Sequence, residues 1–120
     1  MAKEVEKRDI YRVGPSGADI KVSIDVGLSQ EGMTKVLLGT TPIVTTSPPI
    51  GQLNIGPGVG LEGELLIVET LVTDVSTKTD KMQVIVSLEG GPRPKTVKAD
   101  GEVTTAGDSI LFRTFVAFRE

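Results

Sequence analysis

Two groups of residues could carry chemistry in this sequence: the aspartates Asp74, Asp80 and Asp108, and the glycines Gly58, Gly60 and Gly63. The aspartates offer hard oxygen ligands of the kind Ca²⁺ takes, provided the fold brings two loops to one end. Lys78 and Lys81 fall in the same stretch and oppose a cation, and Asp is also a common turn residue through its own backbone hydrogen bonding. Turn chemistry is therefore the preferred reading of all three.

The glycines match the G-x-G-x-x-G spacing that brings a backbone close to a pyrophosphate, and Asp80 lies downstream. The segment after them is a β-branched run rather than a helix, so no helix N-terminus would face the phosphates, and too little chain remains for a dinucleotide domain. An anion site would form where Gly58 and Gly60 meet Arg93, Lys95 and Arg119, combining exposed amides with cationic side chains. No spacing supports it, and a Gly90-Gly91-Pro92 turn with ordinary surface charge explains the same residues.

Glu69 interrupts the apolar row Leu65, Ile67, Leu71 and Val75. Buried there, its carboxyl could act as a general acid or base, whereas a bulge at Glu69-Thr70 would turn it outward, and the bulge is the expectation. Phe115, between Arg113 and Ala117, is expected in the core, with another subunit as the alternative cover.

The chain has 120 residues, 24% charged, with 13 basic and 16 acidic side chains and no Cys, His or Trp. Ser-His-Asp and Cys-His catalysis, thiolate or imidazole zinc and iron–sulfur clusters are excluded by composition. An enzyme would be restricted to carboxylate, Lys or Tyr11 chemistry, and no cofactor is expected. Only four aromatics (Tyr11, Phe112, Phe115, Phe118) and a net charge of −3 argue against nucleic acid as a partner. The segment MAKEVEKRD lacks the apolar core of a signal peptide and no apolar run reaches membrane length, so a soluble, cytoplasmic protein is expected.

The elements that would position these residues are strands. Val (15), Thr (13) and Ile (9) far outnumber Ala (5), and β-branched side chains favour a pleated surface. Apolar residues at Ile20, Val22, Ile24 and Val26 alternate with Lys21, Ser23 and Asp25, the period of a half-buried strand. Met82 to Leu88 and Val97 to Val103 repeat the pattern, the second as one strand with a Gly101 bulge or, alternatively, a hairpin at Asp100-Gly101. Ser109 to Phe118 and Glu64 to Val75 are apolar on both faces, as buried central strands would be. Weaker strands are expected at Asp9 to Val13, Thr34 to Leu38 and Gln52 to Ile55, with a turn at Gly14-Pro15-Ser16-Gly17.

These elements predict a single all-β domain over residues 1–120, an antiparallel β-sandwich or partly closed barrel of seven to eight strands. Residues 1–8 could stay disordered. Residues 39–63 read as a long Pro/Gly/Thr-rich loop, and Gly39 to Leu61 holds no charged residue in 23 positions. Such a loop must hide its aliphatic residues, Ile43, Val44, Ile50 and Leu53 among them, against a partner or against its own sandwich. The resulting expectation is a non-catalytic binding or assembly module that contacts a protein partner or another copy of itself through this loop and Phe115. The alternative is a small-ligand or ion-binding domain.

Overall fold

The computed structural model describes residues 3–14, 17–28 and 30–120. Nine strands are found among them: β1 (Lys3–Arg12), β2 (Asp19–Gly27), β3 (Glu31–Leu38), β4 (Thr41–Thr46), β5 (Ile50–Pro57), β6 (Leu65–Thr73), β7 (Lys81–Glu89), β8 (Lys95–Glu102) and β9 (Ser109–Arg119). A 3₁₀ turn, Gly58–Gly60, is the only helical element among the described residues. The strands form a five-stranded sheet, β1-β9-β6-β3-β4, packed on a four-stranded sheet, β5-β2-β7-β8. The architecture is a sandwich, as the alternation predicts, with one departure from antiparallel pairing: β1 runs parallel to β9.

The core lies between the sheets and is filled by one row from each strand. Leu66, Val68 and Val72 from β6 and Ile110, Phe112, Val116 and Phe118 from β9 meet Ile20, Val22 and Ile24 from β2 and Met82, Val84, Val86 and Leu88 from β7. Burial of each such aliphatic or aromatic side chain contributes about 1.5–3 kcal/mol. Tyr11 packs edge-on to Phe118 with ring centroids 6.4 Å apart, and its hydroxyl accepts the Gly91 N–H at 3.0 Å, so the polar tip is satisfied. Thr34 and Thr70 sit opposite each other across β3 and β6, fully buried, with their Oγ1 atoms 2.8 Å apart.

Several expectations are corrected. Residues 39–63 are not a structureless loop: β4 and β5 occupy most of the segment, and Val44, Ile50 and Leu53 pack against the chain's own core. Of residues 1–8, the first two lie outside the described residues; the rest are not left disordered, since β1 begins at Lys3 and pairs along its whole length with β9. The strand through Asp100-Gly101 continues without a hairpin or bulge, with Gly101 directly opposite Met82. A Cβ at Gly101 would stand 2.7 Å from Ile110 Cδ1, so glycine is there to let the second sheet approach. No bulge interrupts β6 at Glu69 either; the row Leu66, Val68, Thr70, Val72 points inward and Glu69 faces out with Leu65, Ile67 and Leu71. Phe115 is not core but stands half-buried on that same outer face. The turn expected at Gly14–Gly17 includes Pro15 and Ser16, which lie outside the described residues.

Candidate functional site

The two ends of the sandwich collect the loops as the strand alternation predicts. At one end the β6–β7 and β8–β9 connections meet: Asp74 N–H donates to Asp108 O (2.9 Å) and Gly107 N–H to Asp74 O (3.2 Å). Asp74 is 4% exposed, and its Oδ1 accepts from Gln30 Nε2 at 2.9 Å. Gln30, which sequence reasoning missed and no motif marks, organises this end. Its Nε2 also donates to Thr79 O and Lys81 O, while its Oε1 accepts the Val75 and Ser76 N–H groups.

The Asp80 carboxyl reaches Asp74. That side-chain hydrogen bond first, then burial and the charges of Asp74 and Glu102, hold the Asp80 pKa above its ordinary value. Asp74 Oδ2 is buried without a hydrogen-bond partner, and a proton on Asp80 supplies the pair with a donor. Asp108 enters through its backbone. Among the described residues no three His, Cys, Asp or Glu side chains gather in a way that could hold a metal ion.

The opposite end holds the glycine segment and the cations. Gly58 N–H donates to Ala18 O at 2.9 Å, and a Cβ there would meet Val13 Cβ at 3.2 Å, so this glycine serves packing and its amide is committed. Gly60 is exposed at the end of the 3₁₀ turn. Lys95 pairs with Asp9 at 2.6 Å and donates to Ile10 O, tying the edge of β8 to β1. Burial pushes the Asp9 carboxyl up, but the Lys95 hydrogen bond and charge and the Ile10 N–H outweigh it and hold the pKa below its usual value. Arg119 Nη1 donates to Phe118 O, and Arg93 lines an open depression with Tyr11, Arg12 and Lys95. The structure thus brings Arg93 beside Lys95, and Lys95 beside Arg119 in a neighbouring depression.

The outer faces of the two sheets differ in kind. The four-stranded sheet presents Lys21, Ser23, Gln83, Ser87 and Lys98 around one half-buried Ile85, an ordinary wet face. The five-stranded sheet presents Leu65, Ile67 and Leu71 from β6, Leu111, Phe115 and Ala117 from β9, and Met33 and Leu37 from β3. Met33 is 50% exposed, Leu71 42% and Ile10, on β1, 46%. Apolar side chains are thus left in water across four adjacent strands, where a sheet with one solvated face normally carries polar residues.

One straight row of charge crosses this surface. Glu6 is in register with Arg113, Arg113 with Glu69, and Glu69 with Lys35. Arg113 Nε donates to Glu69 Oε2 at 3.1 Å and its Nη1 stands 3.3 Å from Glu4 Oε1. The Glu69 hydrogen bond first, then the Glu4 charge, raise the Arg113 pKa above its ordinary value. The Arg8 guanidinium lies 4.4 Å from the centre of the Phe115 ring and screens one side of it.

Phe115 is thus the sequence candidate that belongs to this face, while Val44, Ile50 and Leu53 turn inward; Ile43 on β4 is exposed at 36%. Among the described residues no helix is long and apolar enough to cross a membrane. Comparison with family models, with curated proteins and with solved structures gives no match.

Proposed function

We propose that this chain is a non-catalytic protein-contact module whose working surface is the outer face of the five-stranded sheet. The observation that carries the reading is the contrast between the two outer faces: one polar, the other largely apolar over β9, β6 and β3, with Phe115 among its residues. Leaving that area in water forgoes about 25 cal/mol for each Å² a partner would cover. Large contiguous apolar patches on soluble domains mark interaction sites. The role first expected for the uncharged segment passes to this sheet, because Val44, Ile50 and Leu53 of that segment already pack against the core.

Photo-crosslinking inside cells expressing the chain tests the reading without knowledge of the partner. A photoreactive residue replaces Ile67, at the centre of the apolar face, or Lys98, on the polar face. A discrete protein adduct at position 67 and none at position 98 is the expected result. No adduct at 67, or equal labelling at both positions, would refute it.

A further inference from the structure

We infer that the partner on this face is a second copy of the same chain, placed by a two-fold axis that runs parallel to the strands between β9 and β6. The inference rests on the reading of the face as a protein contact and adds the identity and orientation of the occupant.

The charge row supplies the argument. Read across β1, β9, β6 and β3, Glu6, Arg113, Glu69 and Lys35 alternate in sign: negative, positive, negative, positive. A two-fold axis along the strands lays this row on its own reverse. Glu6 then faces Lys35 of the second copy and Arg113 faces Glu69, so each of the four charges in the row meets its opposite, while Glu4 and Arg8 on the edge strand lie over Met33 and Leu37 at the rim. An axis running across the strands along this row would instead lay each residue on itself, Arg113 on Arg113 and Glu69 on Glu69, and like charges brought together at an interface are strongly unfavourable. The pattern is therefore self-complementary in one orientation and self-repelling in the other, which is what a specific isologous contact requires.

The apolar residues fit the same operation. Ile67 and Phe115 are in register, as are Leu71 and Leu111. Reversal of the strand order places Phe115 of one copy over Ile67 of the other, and Leu111 over Leu71, on either side of the charged row. Sheets packed face to face cross at about 30°, which shifts the ends of the row, about 7 Å from the axis, by about 4 Å, within the reach of Glu and Lys side chains. Four strands about 4.8 Å apart and some 30 Å long offer roughly 600 Å² per copy, about 1,200 Å² in total, the lower edge of what stable dimers bury. Arg113 is already paired with Glu69 in its own chain, so the dimer joins two ion pairs into a four-membered network instead of burying isolated charges.

Sedimentation of the purified chain and of two charge variants tests this. The wild type should show a concentration-dependent monomer–dimer equilibrium. Arg113→Glu alone and Glu69→Arg alone each set like charges opposite one another twice in a self-pair, and each should associate at least tenfold more weakly than wild type. An equimolar mixture of the two variants restores every opposite-charge contact across the interface and should form a one-to-one dimer. A role confined to the intrachain ion pair would not be rescued by mixing. Glu6→Lys and Lys35→Glu provide a second complementary pair at the edges of the row, should circular dichroism show that an Arg113 or Glu69 variant is unfolded.

A wild type that stays monomeric at every concentration overturns the inference, as does a variant that self-associates like wild type or a mixture that fails to pair. A monomeric wild type whose position 67 still crosslinks to a different protein removes the second copy and leaves the contact surface standing. Absence of any adduct at 67 removes both.

Discussion

Replacing one member of the Thr34–Thr70 pair should destabilise the protein more than replacing both. The two hydroxyls are fully buried and bonded at 2.8 Å, and they lie on the inner side of β3 and β6 immediately beside Lys35 and Glu69 in sequence. Thr34→Val exchanges a hydroxyl for a methyl of similar shape, deletes the bond and leaves the Thr70 hydroxyl buried without it. Stranding a buried polar group in this way costs about 1–3 kcal/mol. With unfolding entropy near 2.1 cal/mol/K per residue, a chain of this length has about 250 cal/mol/K, so a loss of about 2 kcal/mol lowers Tm by about 8 °C. Thr70→Val should do the same from the other side. The double variant strands nothing and should melt within about 2 °C of wild type, a coupling energy of several kcal/mol between the two sites. Thermal unfolding by circular dichroism, at a concentration too low for self-association to contribute, measures all four proteins. A double variant whose loss equals the sum of the single losses would refute the reasoning, because the hydroxyls would then be satisfied independently of each other.

The Asp74–Asp80 pair predicts an unusual pH dependence. Because the native Asp80 pKa is raised above the ordinary value of 3.8, folding favours its protonated form; the associated stability is complete below that value and is lost as pH rises through the native pKa. Asp80→Asn should therefore raise Tm at neutral pH, with the gap from wild type closing in acid, and a constant gap across a pH series would contradict the assignment. Gly101→Ala should destabilise by about 1–3 kcal/mol through overpacking against Ile110 and Phe112, read as a lower urea midpoint. An unchanged midpoint would mean that these side chains give way freely.

Strands with one face in the core and one in water were legible in the sequence, because burial imprints a period of two: β2 and β7 are the clear cases. β1, expected only from Asp9 to Val13, was hidden over its first half for the opposite reason. It is an edge strand whose residues from Lys3 to Arg8 are all exposed or half-buried, so its charges resemble those of a solvated tail. Prolines and glycines in β4 and β5 mimic a loop, and both strands lie at sheet edges, where such residues are tolerated. The choice of inner face in β6 was open because both rows are mostly apolar: Thr70 marks the buried row and Glu69 the exposed one, and each is the exception in its row. The apolar outer surface was visible one strand at a time, in the two-sided patterns of β6 and β9. Only their pairing, a matter of long-range register, adds them into one patch crossed by one row of charge.

The parallel pairing of β1 with β9 also governs the order of assembly. β1 is synthesised before every other strand of the sandwich, yet its ladder partner is the last of them to be made. Contacts of such sequence separation form slowly, since loop-closure entropy is lost before the contact repays it. Until β9 emerges, β1 is a strand-forming segment with both backbone edges open, the kind of segment that recruits wrong partners. Six of the seven residues from Lys3 to Asp9 are charged, with Val5 the exception. Charge of this density discourages intermolecular stacking while the segment waits. The charged stretch of β1 therefore acts as a gatekeeper during folding, before Glu6 takes its place at the end of the charge row.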